Sequence, residues 1–224
     1  QEKKALTYLE RQAKAHPQEG DYTRALAKIY LEKGKTSHAL ALLNHAIACQ
    51  AVPNAKLYSQ RAMIYIALKQ YTKGFEDFEK ALKFSPDEAE VLNYYGYSLL
   101  QYGKNFEKAL TLLKKAHTLE PENSAVLDSL GWAYFKLNQY LKALETLKQA
   151  VFVDSKNYEA WEHLGEVYCK TGEGDKTIHA WKQALANCKE ESARKRLRNK
   201  LKKRCVLPST HTKLKKEFNA HARG

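Results

Sequence analysis

The sequence predicts an all-α fold: a right-handed superhelical solenoid of paired helices, closed by a capping helix near its C-terminal end. Three observations lead to this prediction. A motif recurs every 34–35 residues, each copy has a small residue at a fixed place, and each has a large apolar residue at a nearly constant distance from it. A repeat of this length is typical of helix hairpins that stack, because each hairpin buries its apolar face on its neighbours.

The helices of each hairpin are predicted from columns of equivalent residues. The small residues of the first helices are Ala27, Ala62, Gly96, Gly131 and Gly165. The large apolar residues of the second helices are Leu43, Phe78, Leu113, Leu147 and Trp181. A small side chain lets two helices approach closely, and a large one fills the space beside that contact.

The repeat boundaries follow from the same alignment. Five full repeats are predicted to start near Gly20, Ala55, Ala89, Ser124 and Tyr158. Gly34, Gly103 and Gly172 fall where the two helices of a hairpin should turn, a position that favours glycine. The third repeat has one extra residue near Lys104 and Asn105, which predicts a longer turn between its helices.

The fullest copy of the motif runs from Leu127 to Tyr134, with Ala143, Leu147 and Ala150 following at the expected spacing. This pattern resembles the tetratricopeptide repeat family, and the resemblance covers residues 1–188. It implies a non-enzymatic scaffold or adaptor whose first helices line a concave surface that binds a protein or peptide segment. We therefore expect no small-molecule substrate and no cofactor.

The two ends of the chain differ from the full repeats. Residues 2–15 read as the second helix of a repeat whose first helix is missing, so we expect the natural protein to continue upstream. Residues 189–205 read as a basic capping helix with an apolar stripe. Residues 206–224 are predicted to be a loosely ordered basic tail.

Positions transferred from the family place eight side chains on the concave groove: Met63, Ile66, Asn93, Tyr94, Tyr97, Asp128, Trp132 and Phe135. Met63, Tyr97 and Trp132 share one column in successive repeats. They are either aromatic and apolar anchors for a ligand or side chains that pack between repeats. Asn93 and Asp128 are candidates for hydrogen bonds to a ligand backbone.

The net charge of +13 is concentrated at the C-terminal end, where residues 189–224 contain 13 Lys/Arg against 3 Asp/Glu. The basic residues of interest are Arg194, Lys195, Arg196, Arg198, Lys202, Lys203 and Arg204. They form either a solvated capping helix or a site for an anionic partner, whether RNA, an acidic membrane or an acidic protein. Anionic-surface binding is thus the alternative function.

Catalytic motifs are missing from the sequence, which has no phosphate loop, no GxSxG and no HExxH. His163, Glu166 and Cys169 have helical spacing, but no second ligand pair accompanies them, so no metal site and no catalytic residue is predicted. The four cysteines are widely spaced, and the hairpin arrangement argues against disulfide pairing. A catalytic domain upstream of Gln1 remains a further alternative.

Residues 89–186 are also similar to the C-terminal repeats of bacterial outer-membrane tetratricopeptide lipoproteins, some of which are adaptors for periplasmic proteases. The similarity is carried by the segments 93–99, 127–132 and 163–167. It implies a Gram-negative origin and a periplasmic or outer-membrane location. Without it, the expected location is the cytoplasm, so the sequence leaves the compartment open.

Overall fold

A computed structural model of the chain describes residues 2–16, 19–49 and 54–203. All regular secondary structure in these ranges is α-helical. The helices are α1 Glu2–Ala15, α2 Gly20–Glu32, α3 Thr36–Ala48, α4 Ala55–Ala67, α5 Tyr71–Phe84, α6 Ala89–Tyr102, α7 Phe106–Leu119, α8 Ser124–Lys136, α9 Tyr140–Val153, α10 Tyr158–Thr171, α11 Gly174–Asn187 and α12 Glu191–Lys203. The prediction of an all-α helical-repeat solenoid is confirmed.

The chain divides into two compact units, residues 1–98 and residues 99–224. In the first unit, α1 packs on α2, α2 on α3, α3 on α4 and α4 on α5. In the second unit the same sequential packing runs from α7 to α12, and α8 also contacts α10. Contacts between sequential helices are what a stack of hairpins requires.

The small and large residues of the two columns meet in each unit. In the first unit Ala27 and Leu43 are fully buried, and both belong to one apolar cluster with Leu57 and Ile64. In the second unit a Cβ added to Gly165 would lie 2.3 Å from Trp181 Cδ1. The large side chain therefore occupies the space that the small residue leaves, as the columns predict.

The hairpin turns each contain a residue in the left-handed conformation. Gly34, Gly103 and Gly172 have φ of 70°, 78° and 82°, and Lys69 and Asn138 take φ of 60° and 59° in the corresponding turns. The predicted longer turn in the third repeat is wrong. Helix α6 extends to Tyr102, and residues 103–105 connect it to α7, so the extra residue is absorbed by one more helical residue, with a second left-handed residue at Asn105.

Several first helices begin with an asparagine cap. The side-chain oxygens of Asn54, Asn123 and Asn157 accept hydrogen bonds from backbone N–H groups in the first turns of α4, α8 and α10. Such caps satisfy donors that have no partner within the helix. They fix where these three hairpins start.

An ion pair ties α4 to α5 in the first unit. Arg61 donates to both carboxylate oxygens of Asp77, at 2.6 and 2.8 Å, and its third nitrogen donates to Asn44 Oδ1 of α3 at 2.7 Å. The Asp77 side chain is only 3% exposed. A buried carboxylate of this kind is tolerated only because it is paired and hydrogen-bonded.

The end of the second unit is closed by α12, which lies within residues 189–205. Ala193 and Leu197 of α12 are buried in one cluster with Trp181 and Ala184 of α11. Arg194 Nη1 donates to the carbonyl oxygens of Leu185 and Cys188, at 2.9 and 2.6 Å. This helix thus covers an apolar face that would otherwise be exposed, as a terminal cap must. Residues 206–224 lie outside the described residues.

In the described part of the chain, no helix is both long enough and apolar enough to cross a bilayer.

Candidate binding surfaces

The first unit contains a groove of about 700 Å³ between the first helices α2, α4 and α6. Apolar side chains line part of it, among them Leu31 and Met63, and Met63 is 40% exposed. Tyr94 of α6 closes one side. Binding sites for ligands are typically concave and largely apolar with a few polar groups, and this groove has that composition.

Polar atoms without partners lie at the same groove. Arg24 Nε, Ser59 Oγ and Gln60 Oε1 are buried and have no hydrogen-bond partner in the described structure, and all three residues line the groove. The Gln60 amide is held in place because its Nε2 donates to the carbonyl oxygen of Arg24 at 3.0 Å. Buried polar atoms without partners are rare and costly, so these three are candidates for contacts with a ligand.

The charge of the groove is mainly positive. Arg24, Lys28 and Lys56 line it, with Glu90 as the acidic member. Arg24 Nη2 lies 3.6 Å from Glu90, and Lys56 Nζ lies 3.7 Å from Glu88. Burial, followed by the nearby carboxylate of Glu90, raises the pKa of the Tyr94 phenol, so this hydroxyl stays protonated and able to donate.

Only some of the groove residues predicted for the first unit line the groove. Met63 and Tyr94 line the groove. Ile66 instead lies against α5, where a Cβ added to Gly74 would be 2.7 Å from Ile66 Cδ1. Asn93 is buried with an unpaired Oδ1, and Tyr97 is half-buried in α6. Tyr97 and Trp132 belong to different units.

Sequence reasoning missed several lining residues, among them Lys56, Thr36 and Leu68. Lys56 holds the second position of its repeat, one of those expected to face the concave surface, and could have been found in this way. Thr36 begins α3 and Leu68 follows α4. No periodic signal marks these helix ends, because the repeat columns describe helix interiors.

In the second unit the three predicted residues Asp128, Trp132 and Phe135 form one cluster with His163. His163 Nδ1 lies 2.7 Å from Asp128 Oδ1. The Trp132 ring stacks on His163 at 4.2 Å and on Phe135 at 4.7 Å between centroids, and Lys136 Nζ lies 4.7 Å from the Trp132 centroid. Trp132 therefore has extensive contacts within the protein.

The protonation of this cluster is set by Asp128. Burial lowers the pKa of His163, but the charge of Asp128 and its hydrogen bond raise it more, with further contributions from Glu162 and Glu159, so that the pKa lies above its usual value. Asp128 therefore stabilises the imidazolium form of His163, which donates to its carboxylate. The stack and the ion pair together fix α8 against α10.

Some of the predicted basic residues form ion pairs or hydrogen bonds within the protein, and others do not. Arg196 donates to both oxygens of the buried Glu162, at 2.9 and 2.8 Å, and Lys200 reaches Glu162 at 2.6 Å. Arg198 pairs with Glu191, and Arg194 binds the carbonyls at the end of α11. The exposed residues that have no ion pair in the described ranges are Lys195, Lys202 and Lys203. Arg204 lies outside the described residues.

Metal-binding and redox groups are sparse. Among the described residues, no group of three or more His, Cys, Asp or Glu side chains could hold a metal ion. Cys49 and Cys188 are free thiols, the first exposed and the second buried. Cys169 is disulfide-bonded, so the prediction against disulfide pairing is wrong for this residue. Pairing depends on how distant segments meet, which the spacing in the sequence does not reveal.

The fold defines a helical-repeat protein, and comparison with known families agrees. Residues 55–88 match the family model described as tetratricopeptide repeat, and residues 131–172 match the model described as TPR repeat. These matches show that the chain contains tetratricopeptide repeats.

Curated relatives match parts of the chain. A TPR repeat-containing protein of Pseudomonas aeruginosa is 40% identical over 62 residues, which are 26% of this chain and 10% of that protein. The heat shock protein STI1 of Saccharomyces cerevisiae is 30% identical over 92 residues, 41% of this chain and 15% of that protein. The chain thus spans a small part of the length of these relatives.

Solved structures match most of the chain. A TPR protein of Thermus thermophilus has a TM-score of 0.69 at 20% identity and covers 80% of this chain and 97% of its own. The APC/C hetero-tetramer Cut9–Hcn1 has a TM-score of 0.75 at 19% identity, covering 92% of this chain and 39% of that one. At these identities the likeness concerns the fold alone.

Proposed function

We infer a scaffold role for this chain, because tetratricopeptide repeat proteins are in general non-enzymatic scaffolds for protein–protein interaction. We propose that this chain is an adaptor that binds a segment of a protein partner in the groove between α2, α4 and α6. The observation that carries the proposal is the coincidence, in one groove of about 700 Å³, of exposed apolar surface and buried polar atoms without partners.

A peptide segment supplies what this groove lacks. Once side-chain shifts expose these buried atoms, its backbone N–H groups can donate to Gln60 Oε1, and its carbonyl oxygens can accept from Arg24 Nε. Ser59 Oγ can take either role. An apolar side chain of the segment would cover Met63 and Leu31, which removes apolar area from water.

The charge of the groove favours a segment with an acidic side chain. Three basic residues and one acidic residue line it. Lys28 is exposed and belongs to the basic set. Charge complementarity of this kind mainly sets specificity and association rate, so the apolar contact is expected to supply most of the affinity.

Some relatives are parts of assemblies, which supports an adaptor role. One curated relative is a BBSome complex member, and one structural neighbour forms a hetero-tetramer with Hcn1. The alternative function, binding of an anionic surface by α12, would depend on Lys195, Lys202 and Lys203, because Arg196 and Arg198 are paired within the protein. The groove is therefore the favoured site.

The experiment is a selection of peptides from a random display library on the whole chain, followed by calorimetry with the selected peptides. Met63→Glu places a carboxylate in the groove and should weaken binding by about tenfold or more, the effect of losing a central anchor. Phe84→Glu is the matched control, because Phe84 is 43% exposed in the same unit and does not line the groove.

Equal loss of binding in both variants, with both folded by circular dichroism, would contradict the proposed site. Peptides that bind Met63→Glu as well as the natural sequence would contradict it too. Selected peptides should be enriched in apolar residues with a nearby Asp or Glu, because Lys28, Arg24 and Lys56 surround the apolar floor.

A further inference from the structure

A second groove of about 570 Å³ lies in the second unit. It runs between the second helices α9 and α11, and Trp161, Leu164 and Tyr168 of α10 form its floor. Phe152 of α9 and His179 of α11 stand on its two sides. The Trp161 ring meets the His179 ring edge-on, with 6.0 Å between the ring centroids.

Phe152 is unusual among the apolar residues of this unit. Its side chain is 90% exposed, although Leu119 and Val153, the other exposed apolar residues at the ends of second helices here, are only 42% and 45% exposed. The positions equivalent to Phe152 in the other repeats hold Ala48, Lys83, Thr118 and Ala186. The repeat architecture therefore does not need an aromatic residue at this position.

A projecting aromatic side chain and an aromatic-lined groove thus occupy the same surface. A single exposed apolar residue is ordinary on a protein, but an apolar residue beside an open apolar groove forms a continuous patch, and such patches mark interaction sites. A surface that carries both the projection and the cavity is complementary to itself, which is the requirement for a twofold interface between identical chains.

The charged residues at the rim of the groove are also complementary to a second copy of the same surface. Lys148 of α9 and Asp175 of α11 lie on opposite sides of the groove, and Lys176 of α11, which also lines it, is paired with Glu173. Lys148 and Asp175 are both exposed, and neither has a hydrogen bond or ion pair in the described parts of the chain. A twofold axis that lies in the interface and runs along the groove brings α9 of one chain towards α11 of the other, so that Lys148 of each copy faces Asp175 of its partner.

We propose that this surface binds a second copy of the chain, with Phe152 of each copy inserted into the groove of the other. The occupant is favoured over an unrelated apolar segment because the projection, the groove and the opposite charges are all present on one chain. This interface is separate from the groove of the first unit and does not depend on what that groove binds.

The expected dimer is weak. An aromatic side chain buries about 150–250 Å², and two such insertions with their receiving grooves bury about 600–1,000 Å² in total, less than the ~1,600 Å² of a standard stable interface. We therefore expect a dissociation constant of about 10–500 μM, in the range of transient complexes. A chain at about 1 μM should be monomeric.

The test is sedimentation velocity of the whole chain from about 5 μM to about 1 mM, a range that spans the expected constant. A reversible monomer–dimer equilibrium is expected. Phe152→Ala should raise the dissociation constant by about tenfold or more, because both insertions are lost at once. Leu119→Ala, an exposed apolar residue of the same unit outside the groove, should leave it within about twofold.

A charge exchange tests the twofold arrangement itself. Lys148→Glu and Asp175→Lys should each weaken the dimer, since each creates two like-charge contacts, and the double variant should recover it. A chain that stays monomeric at about 1 mM, a dimer that Phe152→Ala leaves intact, or a double variant without recovery would each overturn the proposal. A partner protein binding this surface in place of a second copy would give the first of these results.

Discussion

The contact between Gly165 and Trp181 gives the sharpest prediction about how the repeats are held together. A Cβ at position 165 would lie 2.3 Å from Cδ1 and 2.4 Å from Nε1 of the Trp181 ring. Trp181 is 4% exposed, and an indole is a rigid plane, so it cannot yield by changing one terminal torsion. Gly165→Ala must therefore push α10 and α11 apart or displace the ring.

The change in unfolding free energy caused by Gly165→Ala is the sum of two opposing effects. Alanine stabilises a helix interior by about 0.5–1 kcal/mol relative to glycine. Overpacking of a well-packed core costs about 1–3 kcal/mol, and the distances here place Gly165→Ala near the upper end. The net loss of unfolding free energy should be about 2 kcal/mol, which lowers the melting temperature of a chain of this size by about 4–8 °C.

The first repeat shows which second substitution should compensate for Gly165→Ala. It has Ala27 at the small position and Leu43 at the large one, and both are fully buried. Trp181→Leu by itself should destabilise by about 2–4 kcal/mol through lost contacts and a cavity. In that background Gly165→Ala should no longer clash, so it should stabilise by up to about 1 kcal/mol through helix propensity.

The assay is urea unfolding of the natural chain, both single variants and the double variant, followed by circular dichroism at 222 nm. The expected result is a change of sign: Gly165→Ala destabilises with Trp181 and stabilises with Leu at position 181. If Gly165→Ala has the same effect in both backgrounds, then the pair does not interact and the explanation of the small and large columns fails. Gly131→Ala, opposite the more adaptable Leu147, should be milder and serves as the comparison.

Two further predictions concern charged groups. Arg61→Met should lower the free energy of unfolding by about 3–5 kcal/mol in urea titrations, because it leaves the buried Asp77 carboxylate unpaired, whereas Arg198→Met, which removes an exposed pair with Glu191, should cost less than about 1 kcal/mol; equal effects would show that burial does not matter here. Since the pKa of His163 is raised in the folded chain, its stabilising contribution is complete below its unfolded value of about 6.5 and is lost as the pH rises through the folded value. The stability difference between the natural chain and Asp128→Asn should accordingly be larger at pH 6 than at pH 9, and a difference that is constant or grows with pH would contradict the assigned ion pair.

The proposed functions depend on different parts of the chain, which makes their failures distinguishable. Met63→Glu concerns the first unit and peptide affinity, whereas Phe152→Ala concerns the second unit and self-association. A variant that changes both properties would indicate a general loss of structure. Circular dichroism of each variant identifies that case.

The sequence by itself determined the helices and their pairing. The 34–35-residue period and the small and large columns specify which residues face each other, because helix packing depends on local spacing and side-chain size. Helices α2, α4, α6, α8 and α10 begin at the residues near which the repeats start. The same local reasoning failed at the third turn, because an extra residue can lengthen either a helix or a turn at similar cost.

Only the tertiary structure decided which side chains form the surfaces. Ile66 has a groove position in its repeat but packs on Gly74, and Glu162 is taken up by Arg196 and Lys200. The repeat pattern does not predict that Phe152 is exposed, or that Ser59 Oγ and Gln60 Oε1 have no hydrogen-bond partner. These features arise from contacts between residues of different helices, and such contacts depend on rotamers and on the exact packing of neighbouring helices. Periodicity fixes the face of a helix, whereas the neighbours on that face determine whether a side chain is buried, paired or open to a partner.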